Sequence, residues 1–166
     1  MRNRGLSKHF SEKTFAYSDV AVAYKIDNSF ETEIVFKNAT SFCREILEAI
    51  YAHYGIVPTL SSGYRCTKLN SHKKIGGAAN SAHRFGNAGD TNVNTIGAKR
   101  LFNDIISGRI KQSNGRPLYE IIDQCIYEEK KGMLPWCHLG RAGKPRREFM
   151  TRLLGKGYVT VTKEIK

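Results

Sequence analysis

Two side chains that commonly bind zinc lie seven positions apart in a glycine-rich segment. The segment reads Ser-Ala-His-Arg-Phe-Gly-Asn-Ala-Gly-Asp from 81 to 90, which places an imidazole at His83 and a carboxylate at Asp90. A catalytic zinc ion takes three protein ligands of these types and keeps a further position for water. His83 and Asp90 could therefore supply two of the three ligands of such a site.

His138 is the best candidate for the third ligand. Of the other histidines, three lie near a helix end or in polar surroundings with no partner at ligand spacing. His138 follows Trp136 in a predicted strand over 134–139, and the two-residue period of a strand puts both side chains on one face. Trp136 and His138 alone are more typical of ordinary packing. Together with His83 and Asp90, they favour a metal site bordered by the Trp136 ring.

Hydrophobic periodicity predicts the elements that must position these residues. Apolar residues at helical spacing predict a buried helix over about 31–54, ended by Gly55, and a second helix over 95–106. Ser11 is expected to cap a short helix over 15–24. Short strands are predicted at 56–61, 90–93, 119–127, 134–139 and, at an edge, 158–162. The order predicts an α+β fold in which N-terminal helices pack on a small, mainly antiparallel sheet.

Composition limits the classes of protein that fit. The 166 residues suit one domain, 1–166, and the net charge of +12 favours anionic partners. The basic residues are scattered, with short runs such as Lys73-Lys74 and Lys130-Lys131, so most of them are expected on a solvated face. The four cysteines form no C-x-x-C pair and are expected to be free thiols. We expect no membrane span and no signal peptide.

The ordered motifs carry a family resemblance. The chain resembles the zinc D-alanyl-D-alanine carboxypeptidase and phage endolysin peptidases (peptidase M15), whose carboxypeptidase A-like branch reads Ser-x-His-x-x-Gly-x-Ala-x-Asp. Ser81, His83, Gly86, Ala88 and Asp90 match that pattern in full. The flanking motifs are Ser-Gly-Tyr-Arg at 62–65, Leu69-Asn70, Gly76-Gly77, Asp123-Gln124 and Trp136-x-His138. The similarity covers about 6–150, which makes 151–166 a C-terminal extension of a single domain.

The resemblance implies a zinc site and its substrate contacts. It assigns Zn²⁺ to His83, Asp90 and His138, in agreement with the residue types, on a hedgehog/DD-peptidase-like fold. Arg65 is expected to bind a substrate carboxylate or to steady a developing oxyanion. The other residues expected to contact substrate are Ser81, Tyr64 and Trp136.

One position departs from the family pattern. Family members carry Asp or Glu three residues before the last histidine as the general base, and here Pro135 occupies that position. Glu128 is the first candidate to replace it, because its strand is predicted to pair beside the strand of His138; a solvated turn is the alternative for Glu128. Asp123 is the second candidate, and it could instead orient a ligand histidine.

Three functions are consistent with these observations. The first is a zinc peptidase that hydrolyses peptidoglycan stem peptides, as a monomer that is made in the cytoplasm and acts on the cell wall after release, like a phage lysin. The second, suggested by Pro135, is a non-catalytic zinc-containing module that binds the cell wall. The third is a basic nucleic-acid-binding protein; it is less favoured, because no nucleic-acid motif accompanies the charge.

Overall fold

The structure is a computed structural model that describes residues 3–161. It is an α+β structure with one mixed six-stranded sheet. The helices are α1 Glu12–Phe15, α2 Asp19–Ala23, α3 Glu33–Phe42, α4 Glu48–Tyr54, α5 Thr67–Asn70 and α6 Ala98–Ile106. The strands are β1 Thr59–Ser62, β2 Ala88–Asn92, β3 Ile122–Glu128, β4 Trp136–Arg141, β5 Glu148–Arg152 and β6 Val159–Thr160.

The long helical segment forms as the periodicity predicts. Thr32 caps α3 by accepting a hydrogen bond from the Val35 N–H, and one turn of π-helix at Cys43–Leu47 joins α3 to α4 without a break. Gly55 ends α4 in the left-handed conformation, with φ of 68°. The inward residues of this segment, such as Phe42 and Ile46, are fully buried.

The first helical segment differs from the prediction. A single helix over 15–24 was expected, whereas the structure has α1 and α2 separated by a turn. Both Ser11 and Ser18 act as N-caps, accepting hydrogen bonds from the Thr14 and Ala21 N–H groups. A serine side chain that accepts a hydrogen bond from a backbone N–H three residues later favours the start of a helix over continuation of the preceding one. Ser18 therefore begins a new helix.

The sheet is mixed rather than simply antiparallel. Its strand order is β1-β2-β4-β3-β5-β6. β3 and β5 run parallel, and the other neighbouring strands run antiparallel. The parallel pair arises because β4 ends beside the first residues of β3. The chain then crosses that end of the sheet and forms β5 on the side of β3 opposite to β4. That strand was not predicted, since in Glu-Phe-Met-Thr-Arg only Phe149 is buried.

One face of the sheet closes the hydrophobic core. Alternate residues of β3 and β4, among them Cys125, Cys137 and Leu139, are fully buried in the same core cluster as the helix residues. The Cys137 thiol donates to the Ala98 carbonyl at 3.0 Å, which ties β4 to the start of α6. All four cysteines are free thiols, as predicted, and all four are buried. The alternate positions of the same strands face away from this core.

A buried carboxylate joins α4 to α6. Asp104 is fully buried and accepts hydrogen bonds from Tyr54, Arg100 and Arg109. Burial acts to raise the pKa of Asp104, but the hydrogen bonds from Arg100, Arg109 and Tyr54 outweigh it and lower the pKa. Asp104 is therefore a structural anion.

The C-terminal part of the chain contributes to the sheet. The predicted edge strand at 158–162 appears as β6, and its last predicted residue, Thr162, lies outside the described residues. β6 and the last two residues of β5 belong to the segment expected to be an extension, and β5 pairs directly with the central strand β3. Among residues 3–161, no helix has both the length and the apolar character needed to cross a membrane.

Candidate metal centre

His83 is held by a tight turn. It lies in a 3₁₀ turn at Ala82–Phe85 that ends at Gly86, whose φ of 71° suits glycine. A Cβ at Gly86 would lie 2.7 Å from the Val35 carbonyl oxygen, so the turn also packs directly on α3. His83 is 3% exposed. The glycine three residues after the histidine is thus needed both for the conformation and for the close contact.

The backbone of the Ser-Gly-Tyr-Arg segment orients the His83 ring. The Gly63 carbonyl oxygen lies 2.7 Å from His83 Nδ1, and because a carbonyl only accepts, Nδ1 carries the proton and donates it. Nε2 is then left with a free lone pair, as a metal ligand requires. Gly63 itself lies against the Phe15 backbone, where a Cβ would be 2.2 Å from the carbonyl oxygen. Asn28 fixes the following segment by binding the Tyr64 carbonyl and the Cys66 N–H.

Arg65 and His138 fix the Asp90 carboxylate from two sides. Arg65 Nη2 donates to Asp90 Oδ2 at 2.8 Å, and Arg65 Nε donates to the Ser62 hydroxyl at 2.8 Å. His138 Nδ1 lies 2.9 Å from the other carboxylate oxygen, Oδ1. Asp90 on β2 is paired directly with His138 on β4, so the sheet register brings them together.

The three predicted ligands converge. His83 Nε2 lies 3.3 Å from His138 Nδ1 and 3.4 Å from Asp90 Oδ1, and His138 Nδ1 lies 2.9 Å from Asp90 Oδ1. Among the described residues these three form the one His/Cys/Asp/Glu group close enough to share a metal ion.

The triangle of donor atoms fits a zinc ion. Zinc–nitrogen and zinc–oxygen bonds of about 2.0–2.1 Å in a tetrahedron place neighbouring ligand atoms about 3.3 Å apart. The three measured edges of 2.9–3.4 Å are close to that value. Two imidazoles and one carboxylate are also a donor set that zinc accepts. The arrangement can therefore hold one zinc ion by three protein atoms.

The protonation states suit cation binding. Burial lowers the pKa of His83, although the nearby Asp90 charge acts in the opposite direction. Burial acts to raise the pKa of Asp90, but its electrostatic interactions and hydrogen bonds with His83 and His138 outweigh burial, and the pKa lies well below its usual range. A neutral His83 and an ionised Asp90 are the forms that bind a cation.

Glu128 lies beside this triangle on the open face of the sheet. It pairs with Trp136, while Ile126, two residues earlier on β3, pairs with His138. Diagonal neighbours of this kind are separated by about 7–8 Å, which long side chains can bridge. Glu128 is 9% exposed, and burial, followed by the negative charge of Asp90, raises its pKa. It is therefore a buried strand residue, and the solvated-turn alternative does not describe it.

Asp123 and Pro135 have structural partners. Both carboxylate oxygens of Asp123 accept hydrogen bonds from Arg146, and these bonds outweigh burial and lower its pKa. The Asp123 carboxylate is thus engaged by Arg146, and Asp123 itself does not line the groove. The Pro135 carbonyl accepts a hydrogen bond from the Asn92 amide at 3.0 Å, which ties the start of β4 to β2.

The expected substrate contacts divide into two groups. Arg65, Ser81 and Trp136 line a groove of about 700 Å³ that contains the three candidate ligands. Tyr64 departs from the expectation: it is 1% exposed and packs edge-on against Phe30, with ring centroids 4.9 Å apart. A side chain buried in this way presents no surface to a substrate, so the structure gives Tyr64 a packing role.

Several groove residues had no signal in the sequence. Arg146, Met150, Arg152 and Tyr158 line the groove together with Glu128 and with Gln124, which belongs to the Asp123-Gln124 motif. Arg152 Nη1 lies 3.5 Å from the Glu128 carboxylate and 3.3 Å from the Tyr158 hydroxyl. Most of these side chains come from β5, β6 and the segments before them, which reach the groove only because β5 pairs with β3.

Comparison with known proteins is consistent with this geometry. The family model described as Peptidase M15 matches residues 8–116, about two thirds of the chain. No curated protein matches the chain. The matched range contains His83, Asp90 and Arg65 and ends before β3, so His138 and Glu128 join the site through the sheet register. The chain belongs to the peptidase M15 family, and the domain is a peptidase whose donor triangle is a possible metal site.

Proposed function

We propose that the protein is a zinc metallopeptidase that hydrolyses peptide bonds in peptidoglycan stem peptides, as a D-Ala-D-Ala carboxypeptidase or an endopeptidase of the phage endolysin kind. The observation that carries the proposal is the triangle of His83 Nε2, Asp90 Oδ1 and His138 Nδ1, whose edges suit a tetrahedral zinc ion. The family membership supports the peptidase activity, and the groove of about 700 Å³ around the triangle is large enough for a peptide segment.

Zinc in this position would supply a Lewis acid for the scissile carbonyl and would make water a competent nucleophile near neutral pH. The protein residues prepare that position before any substrate arrives. Gly63 holds His83 in the tautomer whose Nε2 is free, and Arg65 holds Asp90 from the side opposite the triangle. Partners of this kind fix the orientation of metal ligands and strengthen metal binding.

Glu128 is the residue we propose as general base. Its carboxylate lies on the same face as His138, and its raised pKa brings it closer to the pH at which a base both accepts and returns a proton. Arg152 beside it fixes the carboxylate and limits the rise of its pKa. In this role Glu128 replaces the acidic residue that Pro135 displaces from the usual position.

Arg65 and Trp136 are proposed to place the substrate. Arg65 has 16% of its side chain exposed and lines the groove while it is bonded to Asp90. A guanidinium so placed can meet a substrate carboxylate or a carbonyl oxygen that becomes negative. Trp136 lines the groove beside Glu128, and in the proposed role its ring would limit the water that reaches the triangle.

Digestion of purified peptidoglycan, followed by mass spectrometry, tests this function. We expect peptide fragments with the zinc-loaded protein, none after the metal is removed by a chelator, and recovery when zinc is added back. The mass of each fragment identifies the bond that is cut. Fragment release that is unaffected by complete metal removal would contradict the proposal.

A second function is favoured by Pro135. A non-catalytic module of the same fold would bind zinc and a cell-wall fragment without turnover. The two are separated by comparing zinc-loaded wild type with His83→Ala on isolated muropeptides: turnover in the wild type alone excludes the binding module. Retention on insoluble peptidoglycan without any product would instead favour it.

The proposed place of action is the cell wall, reached after release from the cytoplasm, as by a phage lysin. The net charge of +12 supports this, since anionic wall polymers attract a cationic protein. The same charge keeps a nucleic-acid-binding function as the third candidate. Salt-sensitive binding to duplex DNA at micromolar concentration, without peptide hydrolysis, would favour that candidate over the peptidase.

A further inference from the structure

The groove continues beyond the candidate metal centre into a second lobe. This lobe has a volume of about 820 Å³ and shares part of its wall with the first. The shared residues are Arg65, Ile75, Asp90, Glu128, Trp136 and Arg152. A chain bound at the metal centre can therefore extend past Glu128 and Trp136 into the second lobe.

Four lysines border the second lobe, and we call it the lysine lobe. Lys74 follows α5, Lys130 and Lys131 lie in the turn between β3 and β4, and Lys156 lies in the turn between β5 and β6. All four are exposed, and within residues 3–161 none of them forms an ion pair. Three separate segments thus bring unneutralised ammonium groups to one concave surface.

The carboxylates in the same lobe already have partners. Glu128 is paired with Arg152, and Asp90 is bonded to Arg65. Glu129 accepts hydrogen bonds from the Tyr127 hydroxyl and the Leu154 N–H. Asp19, the remaining acidic residue, accepts from the Tyr17 hydroxyl at 2.7 Å. Each of these carboxylates is therefore engaged by a neighbour other than the four lysines.

Glu129 also holds two of the lysine-bearing turns together. Its N–H donates to the Arg152 carbonyl at 2.9 Å, and its carboxylate accepts from Leu154 in the turn between β5 and β6. The lysines at 130 and 131 and the one at 156 are consequently carried by turns fixed to each other. A site arranged in advance loses less conformational entropy when a ligand binds.

Aliphatic side chains complete the lobe. Met133, Leu153 and Leu154 are 54%, 39% and 58% exposed, and all three line it. Exposed aliphatic groups around a concavity are typical of a binding site rather than of a purely solvated surface. Cations and aliphatic groups together suit a chain that carries both carboxylates and short apolar side chains.

We propose that the lysine lobe is a second substrate subsite, which binds a peptide segment bearing free carboxylates while the scissile bond lies at the metal centre. The inference rests on the proposed peptidase function and adds to it the surface that binds the carboxylate-bearing part of the substrate. The subsite contributes to binding and leaves the chemical step unchanged, because the lysines lie away from the donor triangle.

The test compares two triple variants that lose the same charge. The first variant, Lys130→Gln/Lys131→Gln/Lys156→Gln, removes three of the four positive charges that border the lobe. The second variant, Lys37→Gln/Lys68→Gln/Lys111→Gln, removes three exposed lysines that do not line it. Muropeptides are used with their carboxylates free or amidated. We expect the first variant to raise KM for the free form about tenfold, with kcat unchanged. Each exposed ion pair between a lysine and a substrate carboxylate contributes a fraction of a kcal/mol, and three such pairs are lost. KM for the amidated form should stay at the wild-type value, and the second variant should match wild type on both.

Equal KM changes in the two variants, or none in the first, would overturn the subsite. A second measurement separates this outcome from failure of the peptidase function. The three proteins are titrated with the peptide (Ala-Glu)₃, with phosphatidylglycerol vesicles and with duplex DNA. Peptide binding that is about tenfold weaker in the first variant alone supports the subsite even without turnover. Equal peptide affinities, or stronger lobe-dependent binding of vesicles or DNA, would refute it.

Discussion

At the scale of single residues, the chemistry was predictable from side-chain types, whereas the geometry was not. His83 and Asp90 were identified because few segments combine an imidazole and a carboxylate with flanking glycines. Their separation of 3.4 Å from Nε2 to Oδ1 depends on the Gly63 carbonyl and on the pairing of Asp90 with His138, which a sequence does not state. Tyr64 shows the same limit, because its motif predicts substrate contact and the fold buries it.

The first prediction concerns Glu128. If it is the general base, Glu128→Gln should lower kcat about 100- to 10,000-fold while zinc content stays at the wild-type level. The amide has nearly the same shape and cannot accept the proton. Glu33→Gln, in an exposed pair with Arg4, serves as the control and should retain full activity. Full activity in Glu128→Gln would remove Glu128 from the mechanism.

The pKa of Glu128 adds a pH test. Burial and then the Asp90 charge raise this pKa, so the carboxyl stays protonated to a higher pH than an ordinary glutamic acid. Because the base must be ionised, kcat/KM should fall as the pH decreases through this raised value. Arg152 lowers the pKa, so Arg152→Gln should move the acidic limb of the profile to higher pH. An unchanged limb in that variant would show that another group controls it.

At the scale of elements, the strongly periodic segments were predicted well. The helix expected over 31–54 forms as α3, the π turn and α4, and the helix expected over 95–106 forms as α6. The strands bearing Asp90 and His138 were also found, with shifted ends. β5 was missed because its pattern is weak and its position is set by parallel pairing with β3. The paired residues lie 24 positions apart in the chain, from Gln124 with Glu148 to Glu128 with Arg152. Non-local pairing of this kind has no local sequence signal.

The second prediction tests the turn that carries His83. Gly86→Ala places a Cβ 2.7 Å from the Val35 carbonyl in a left-handed conformation, so it should reduce both stability and zinc affinity. Gly55→Ala is the matched control, because its φ of 68° is nearly the same and nothing lies within 4 Å of the added atom. The control should cost about 1–2 kcal/mol from the backbone alone.

Gly86→Ala should cost about 1–3 kcal/mol more than the control, because the added atom overpacks the contact with α3. Chemical denaturation measures the free energy of unfolding, and competition with a chelator measures zinc affinity. Loss of zinc affinity is expected in Gly86→Ala alone. Equal stability losses and equal zinc affinities in both variants would mean that the contact with Val35 does not position His83.

At the scale of the whole molecule, the sheet separates stability from chemistry. One face of β3 and β4 closes a core that includes the long helical segment and α6, and the other carries the donor triangle, Glu128 and the groove. The order of predicted helices and strands indicated the α+β class that the structure shows. That order did not predict the lysine lobe, because its four lysines are distributed over three distant segments and are individually typical of solvated charge.

The third prediction follows from this separation. Removal of the metal should leave the far-ultraviolet circular dichroism spectrum unchanged, because the core does not include the triangle. Zinc at about one hundred times its Kd should stabilise the protein by about 2.7 kcal/mol. For a chain of this size that corresponds to a rise in Tm of about 5–10 °C. The zinc-dependent rise in Tm should disappear in Asp90→Asn. Global unfolding on metal removal would contradict the separation of the core from the metal centre.

The zinc content of the purified protein tests the central claim most directly, and His138→Ala is the sharpest variant for it. His138 lies outside the matched family range and joins the site only through its pairing with Asp90. Elemental analysis should find about one zinc ion per wild-type chain, and the same in the control His53→Ala, whose exposed ring packs on Tyr54. His138→Ala should lose most of its zinc. Wild-type protein that binds no zinc, or His138→Ala that retains a full equivalent, would contradict the three-residue metal centre.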